Sequence, residues 1–471
     1  MSRVGYDRAA ILMTYEEARA FLAGLVNYEQ QSPSASDLAL GPIRVLLGEL
    51  GDPHQQLAIV HVAGTNGKGS VAIILDEILK QAGYRTGRYT TPSLCEFEDQ
   101  ICVCGIPISS SACADYITKI HRAIARGGAS NSPTHFDVVT AMAFMHFASV
   151  QVDVAIIEVG MGGQNDSTNI CSPILSIITS IDYDHTSQLG PSLRSIAQEK
   201  AGIVKPGRPV VSGAIHEDAR DVIRAACAGR GAPLSQLGVD VTYEHVPGRL
   251  SETGLIPTYT TVVTPRRRWP TMALNLFGEH QAANAALAVR AVEQLQDIGF
   301  RIPDEAVRQS LGNVRCPART EMIMERPLVV LDCSHNPASI DALIATLSRS
   351  FPNHIGEKRS PNAKRWLLFG ASRDKNLSAM LKIIAGHFDS ICLTSYKRSR
   401  RSANQTELQA ALRASGCDLP YRYVETVSEA FETIVSDTTQ VDLICITGSV
   451  FLAGEFLASQ PTRLMHPTVR I

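Results

Sequence analysis

Neither sign of charge dominates this chain of 471 residues: 44 lysines and arginines face 46 aspartates and glutamates, a formal net charge of −2. A nucleic-acid-binding surface ordinarily shows as a basic excess, so the balance gives no sign of nucleic acid, and no block of like charge marks an interaction tail. Also missing is any apolar run near the roughly 18 residues a membrane-spanning helix needs. The eleven cysteines, from Cys95 to Cys445, include no CxxC pair and no short cysteine-rich module. A disulfide framework or a zinc site is therefore not expected. The thiols read as reduced, mostly buried, small apolar side chains, which suits a cytosol or a mitochondrial matrix. Internal repeats and low-complexity segments are absent as well.

What is present is ordinary for a soluble globular enzyme, with 45% hydrophobic and 19% charged residues. The length exceeds what one core usually organises, so two domains are expected. The leading residues MSRVGYDRAAILMTYEEA mix arginines with Asp7, Glu16 and Glu17, which argues against a transit peptide. Met13 offers a second start, so a mitochondrial form stays open beside a cytoplasmic one.

Apolar runs at 57–63 (LAIVHVA), 152–160 (VDVAIIEVG) and 174–181 (ILSIITSI) predict buried strands. Helical spacing appears over 70–83, 111–126 and 280–295. Strands alternating with helices imply a parallel sheet covered on both faces. From 229 to 270 the chain is less regular and carries the triplet Arg266, Arg267, Arg268, which predicts a surface hairpin region with the arginines on a solvated face. Around NVRCPARTEM (313–322) the helical pattern stops, and PLVVLDCSHNP starts a new series with a strand over 328–332.

The stretch HVAGTNGKGSV, 61–71, is strand, glycine loop, helix. Glycines let backbone N–H groups approach phosphate oxygens, and a helix N-terminus behind them favours anions. Lys68 adds a point charge for β- and γ-phosphates, and Ser70 can reach a magnesium ion. The strict GxxxxGKS/T string is not met, because position 62 is valine and Gly69 separates Lys68 from Ser70. A turn that merely packs strand on helix is the plainer alternative; the flanking elements favour phosphate. The expected fold is α/β: a P-loop ATPase domain with a parallel-rich sheet over 1–314 and a smaller C-terminal Rossmann-like α/β domain over 315–471.

The variant loop GTNGKGS, with Thr65, Asn66, Gly67, Lys68, Gly69 and Ser70, resembles the ATP loop of the Mur ligase superfamily, and within it that of folylpolyglutamate synthase and dihydrofolate synthase. The resemblance runs in order through EVGMGGQNDSTN (158–169), TSIDYDHTSQLGP (179–191), EKAGI (199–203), GEHQAANA (278–285), LDCSHNP (331–337), FGASRDK (369–375) and ITGSVFLAGE (446–455). It implies ATP-dependent amide formation. A carboxylate takes the γ-phosphoryl group, and the amine of L-glutamate then displaces phosphate from the acyl phosphate.

Glu158 ends a buried apolar run and His185 follows the next one, so both fall at the C-terminal edge where open α/β sheets place ligands. The alternatives are a turn-capping acid and a structural hydrogen-bonder. The resemblance implies that both hold magnesium, joined by Ser70 and by Thr91 of YTTPSL, with K+ a further candidate cation. By spacing alone Lys200 reads as a surface lysine; the resemblance implies a carbamylated metal ligand. Asp332 and His335 close another buried run, Asp332 with a helix N-cap as its alternative role. The resemblance places Asp332, His335, Arg319 and Asn284 around the nucleotide in a cleft between domains.

Departures gather on the acceptor side. Gln164 stands where the family's arginine contacts the pterin-bearing substrate, Ser93 where histidine is common, Asp99–Gln100 where Glu-Arg is usual, and Phe136–Asp137 where the pair is Phe-Glu. The ligase chemistry is therefore firmer than the acceptor. Dihydrofolate synthase, with 7,8-dihydropteroate and L-glutamate as substrates, is placed first. Folylpolyglutamate synthase and a ligase for a non-folate carboxylic acid remain open. A non-catalytic nucleotide-binding regulator is the reading from another class, weakened because Lys68, Glu158, His185, Lys200 and Asp332 are all present. A monomer is implied, with neither nucleic acid nor membrane as partner.

Overall fold

All five side chains of the strand Ile59–Ala63 are buried, and their alternation sends Ile59 and the two valines to opposite faces of the sheet. Val60 and Val62 face the core with helices Lys68–Gln81 and Glu279–Asp297; Ile59 faces the one with Ser110–Arg126 and His135–Ser149. The neighbouring strand Val154–Glu158 splits likewise, Val154 and Ile156 to one side, Ala155 and Ile157 to the other. Each such side chain contributes roughly 1.5–3 kcal/mol by leaving water. The computed structural model describes residues 12–27, 30, 39–127, 132–251, 254–355 and 363–460; residues 1–11, read above for targeting, lie outside them.

These strands are the centre of an eight-stranded sheet, in the order Ile106–Pro107, Ile101–Val103, Thr86–Tyr89, Val154–Glu158, Ile59–Ala63, Leu175–Ile178, Val210–Ser212, Leu234–Gln236. Pairing is parallel from Thr86–Tyr89 onward and antiparallel only at the first edge. The predicted strands appear trimmed by a few residues at their ends, and the predicted helices appear with starts one or two residues earlier: Lys68–Gln81, Ser110–Arg126 and Glu279–Asp297.

The region from 229 to 270 contains an antiparallel pair of the expected hairpin kind, Arg249–Ser251 with Gly254–Ile256, but the rest of it is not a surface feature. Leu234–Gln236 extends the large sheet, and Thr242–Val246, Thr258–Val263 and Met272–Leu274 form a three-stranded antiparallel sheet. Val262, Trp269, Met272 and Leu274 enter the main core. The alternation was hidden because the inward positions of TYTTVV include threonines. The arginines do stand at the solvated rim, each paired: Arg268 with Glu244 at 2.7 Å, Arg266 with Asp297 at 3.6 Å, and Arg267 with Asp304 at 2.5 Å, its guanidinium 3.7 Å over the Trp269 ring.

A second sheet of six strands follows the order Glu321–Met324, Leu328–Leu331, Leu443–Thr447, Arg365–Phe369, Ser390–Thr394, Tyr421–Val424, parallel except for its first edge. Leu328 and Val330 face one core, Val329 and Leu331 the other, so this sheet too is covered on both faces. Val314 and Cys316 belong to the core of the large sheet, Ala318 to that of the small one. All eleven cysteines are free thiols. No helix among the described residues is long and apolar enough to cross a membrane.

One buried polar network tests this packing. Glu293, fully buried, accepts hydrogen bonds from Trp269 Nε1 (2.9 Å), Thr264 Oγ1 (3.0 Å) and Arg290 Nη1 (2.9 Å). Glu293→Ala should lower stability by about 3–5 kcal/mol, because it strands the buried Arg290 charge. Arg290→Met combined with Glu293→Leu should recover most of that loss. Urea unfolding checks this; an equal loss in the single and double variants would count against it.

Candidate active site

The two sheets meet at the C-terminal ends of their strands, where ligands of open α/β sheets collect. From the large sheet come the loop after Ile59–Ala63, Thr91 after Thr86–Tyr89, Glu158 at the end of its strand, and the 179–185 segment after Leu175–Ile178. From the small sheet come Asp332 to Asn336, the 370–375 segment and Ser449.

The glycine loop is moulded on the 179–185 segment. Thr65 N donates to Ser180 O (2.7 Å), Thr179 Oγ1 to Asn66 O (2.7 Å), and Asp182 N to Thr65 Oγ1 (3.1 Å). Gly67 has φ +86°, and a Cβ there would stand 2.5 Å from Asn284 Oδ1, so only glycine fits between loop and helix. Asn284 Nδ2 in turn donates to Gln281 Oε1 (3.0 Å), and Gln281 Nε2 to Ser70 Oγ (3.4 Å). Lys68 folds back over the loop, Nζ donating to Gly64 O (3.2 Å) and Thr65 O (3.3 Å). Burial lowers its pKa, a penalty an arriving phosphate would relieve.

Lys200 is no surface lysine. Its side chain is buried, Nζ donates to Gly64 O (2.8 Å), and burial beside Lys68 lowers its pKa to about 7. Sequence spacing could not show this, because the helix Leu193–Ala201 is short and polar overall.

Glu158 is buried next to Gly69 and accepts Thr91 N at 3.4 Å. Burial pushes its pKa up against the pull of Lys68 and Arg319. A buried carboxylate with so weak a hydrogen bond, beside Thr91 and the loop that carries Ser70, suits a hard cation with oxygen ligands. Among the described residues no three histidine, cysteine, aspartate or glutamate side chains converge, so any such ion draws on hydroxyls as well. His185, in left-handed backbone at φ 49°, is held neutral by burial at a pKa of about 3, and its Nε2 lies 3.3 Å from Lys375 Nζ.

Asp332 is not the cap of the following helix; Asn336 is, with Ser339 N donating to its side chain. Asp332 instead accepts Thr320 N (2.8 Å) and Ser334 N (2.7 Å), fixing the turn beside Arg319. His335 Nδ1 lies 2.9 Å from Cys333 O, and its Nε2 lies 3.5 Å from Asp184 Oδ2.

Asp184 is a residue that sequence reading passed over. Lys375 Nζ is 2.5 Å from its Oδ1 and Asn336 Nδ2 donates to Oδ2 (3.2 Å), while Asn336 also bonds Asn66 of the glycine loop (2.9 Å). Its carboxyl is held well below the usual range: burial opposes the charge, but His185, Lys375 and His335 outweigh it. Asp184, Asn336 and Lys375 all lie inside the motifs quoted above. Their position just past a strand end was the available signal.

Two cavities adjoin. The larger, about 590 Å³, is lined by Gly69, Glu158, Arg88, Arg319 and Phe277 among others. The smaller, about 200 Å³, has Phe136, Asp137, His185, His335, Lys375 and Arg401 in its wall. Thr91 and Pro92 line both. Phe136 stacks near Tyr89, with ring centroids 6.3 Å apart. Asp137 is committed locally: it closes a capping box with Thr134 and accepts Ser167 Oγ (2.6 Å). Gln164 is exposed and lines neither cavity, its backbone N donating to Glu199 O (2.8 Å). Of the other departures, Ser93 lines the larger cavity, and Gln100 is buried, donating to Phe97 O (3.4 Å).

Beneath the smaller cavity runs a buried chain. His61 Nε2 is 2.8 Å from Thr168 Oγ1, which donates to Asp166 Oδ1 (2.5 Å), while Asp166 Oδ2 accepts Met161 N (2.9 Å) at the cavity wall.

Comparison with known proteins supplies the context. Residues 62–292 match the Mur ligase middle domain and residues 318–450 the Mur ligase, glutamate ligase domain. The chain is 31% identical to dihydrofolate synthase/folylpolyglutamate synthase of Bacillus subtilis, over 94% of this chain and 98% of that one. Among solved structures, Mycobacterium tuberculosis folylpolyglutamate synthase complexed with ADP superposes with a TM-score of 0.82, at 29% identity, covering 95% and 99% of the two chains. Escherichia coli FolC in complex with DHPP and ADP gives a TM-score of 0.79, at 26% identity, covering 94% and 97%.

His61 sets a pH dependence. Burial pushes its pKa down to about 3, below the ordinary value of 6.5, so the folded state keeps it neutral. The stability it supports is complete above about 6.5 and is lost as pH falls below that toward 3, by at most about 1.4 kcal/mol per pH unit. His61→Gln should flatten the acid limb of stability against pH in urea unfolding. An unchanged slope there would mean that His61 is already charged in the folded protein.

Proposed function

The chain belongs to the folylpolyglutamate synthase/dihydrofolate synthase family of Mur ligases, and from that premise we propose that it joins L-glutamate to a pterin-bearing carboxylic acid, with 7,8-dihydropteroate as its first acceptor and reduced folates as the second. The observation that carries this reading is a glycine phosphate loop bonded through Asn66 to Asn336, next to a cavity whose wall includes Phe136, His335, Lys375 and Arg401. Such a cavity offers a ring-stacking face and charge for carboxylates.

ATP is the phosphoryl donor. We place its triphosphate on the loop 64–70, with Thr65, Asn66, Gly67 and Gly69 presenting backbone N–H groups and Asn284, Arg319 and Asp332 lining its approach. An acceptor carboxylate oxygen attacks the γ-phosphorus and ADP departs. Lys68 then has an anion to pair with in place of the carbonyls it bonds in this structure. The amine of L-glutamate displaces phosphate from the acyl phosphate, forming the amide and releasing one proton. His335 stands to take that proton at Nε2, where Asp184 at 3.5 Å pairs the resulting imidazolium.

Asn66–Asn336 and Asp184–Lys375 contacts bring the two bodies together over the site. That closure keeps water from the acyl phosphate. Ser70, Thr91 and Glu158, with His185 alongside, are the residues we assign to Mg2+, which supplies neutralisation of phosphate charge when bound. K+ has no residue assigned to it. We assign Lys200, with its depressed pKa, to carbamylation, since only a neutral amine attacks CO2. Phe136, Asp137 and Gln164 remain the acceptor-side candidates; Phe136 has the placement best suited to a ring. A monomer acting in the cytoplasm is the simplest form of this enzyme.

Phosphate release from MgATP should require both L-glutamate and dihydropteroate, with dihydrofolate appearing by mass. Release with neither dihydropteroate nor tetrahydrofolate as acceptor would remove the pterin reading. Lys68→Ala should reduce ADP formation by about a thousandfold while the thermal transition stays in place. Incubation with 13C-bicarbonate should give a carbamate carbon signal that strengthens as pH rises through about 7 and is missing in Lys200→Arg. A wild-type spectrum without that signal at alkaline pH would leave Lys200 an ordinary buried amine.

A further inference from the structure

Several exposed arginines of this protein face a carboxylate: Arg308 has Glu305 at 2.5 Å, Arg349 has Glu279 at 2.6 Å, Arg194 has Asp218 at 3.3 Å. The stretch YKRSRRS, 396–402, beyond the strand Ser390–Thr394, gathers basic residues beside the smaller cavity. Arg401 does have a partner, Asp374. Lys397 and Arg400 are exposed and have no carboxylate within ion-pair distance among the described residues. Arg373 runs alongside, its N donating to Arg401 O (2.8 Å) and its side chain to Ser402 O (3.0 Å); the nearest carboxylate, Glu407, is 3.9 Å away.

This excess charge sits on a pinned backbone. Gln30 Oε1 accepts Arg400 N (2.8 Å), Gln30 Nε2 donates to Arg398 O (3.2 Å), and Glu455 Oε2 accepts Lys397 N (2.7 Å). Arg398 Nη1 donates across to Leu94 O (2.5 Å). The inner end of the strip, Arg401 and Lys375, is in the wall of the smaller cavity. Basic side chains thus continue from the cavity wall, where Arg401 and Lys375 are paired with Asp374 and Asp184, to Lys397 and Arg400 at the surface.

An acceptor held at its ring end by the Phe136 side and at its reactive carboxylate by the nucleotide has a fixed span. Each added γ-glutamyl unit lengthens the chain between those points and adds one α-carboxylate, so a growing tail must bulge out of the cavity as a polyanion. We propose that Lys397, Arg400 and Arg373 form a surface rail for the poly-γ-glutamyl tail of an already glutamylated acceptor. This rests on the reading of the smaller cavity as the acceptor site. Each round uses the same chemistry: the terminal γ-carboxylate takes the phosphoryl group and the incoming α-amine displaces phosphate, with loss of one proton.

The test compares tetrahydrofolate acceptors bearing one and five glutamates, using the full chain with MgATP and L-glutamate. Charge reversal by Lys397→Glu with Arg400→Glu should raise KM for the pentaglutamyl acceptor by about tenfold, leaving kcat and the monoglutamyl KM unchanged. The neutral pair Lys397→Gln with Arg400→Gln should fall between, and added salt should erase the wild-type preference for the longer tail. Unchanged monoglutamyl turnover certifies that the variants are folded. Should the reversal pair fail that control, the neutral pair and the salt series decide. Monoglutamyl and pentaglutamyl KM moving together, or neither moving, would overturn the rail. So would a wild type that converts dihydropteroate but elongates no glutamylated acceptor, while leaving the ligase reading intact. A wild type inert with every pterin acceptor would remove both.

Discussion

One buried carboxylate joins the halves of this protein. Asp184 leaves the large sheet just after Ile178 and Ile181, and beyond the N–H of His185 its partners, Lys375, Asn336 and His335, come from the small one. A buried charge is tolerated only when it is paired and its lone pairs are filled. Asp184 satisfies that condition only when the two strand edges approach each other, so its solvation demand acts as a latch on the cleft. The glycine loop takes part through Asn66, which shares Asn336 with Asp184. Closure and the shape of the phosphate cradle are therefore one structural event.

The cations around that latch are placed at a cost. Lys68 and Lys200 are both buried and both pulled toward neutrality, Lys200 to about 7, each donating to Gly64 O. Two ammonium groups over one backbone carbonyl make a region that gains by receiving an anion. Glu158 faces it from the next strand, its own charge discouraged by burial. Disfavoured charge on both sides of the loop is what a polyphosphate with its counter-cation would relieve.

How much of this could be read in the chain depends on how local the signal was. The parallel strands were legible because burial on both faces writes an uninterrupted apolar run, as in VAIIE and LVVL. Phosphate binding was legible because three glycines and a lysine between strand and helix have few other uses. The small antiparallel sheet was not, since threonines at its inward positions imitate a loop. Asp184 and Lys375 escaped for a different reason, and Lys200 was visible only through the family resemblance and not through its spacing. Each acquires meaning only from a residue more than a hundred positions away, Lys375, Asp184 and Gly64 respectively. The acceptor-side departures divide under the same light. Gln100 and Asp137 are absorbed by local hydrogen bonds, whereas Gln164 is left at the surface.

Thr91 and Pro92 belong to the walls of both cavities. A partition that two ligands touch from opposite sides cannot adjust to one without altering what it offers the other. Whatever free energy the occupant of the larger cavity adds to binding in the smaller one must be returned in equal measure when the order of arrival is reversed. Two ligands so placed are thus thermodynamically reciprocal, through a wall that Thr91, Pro92 and Val450 share.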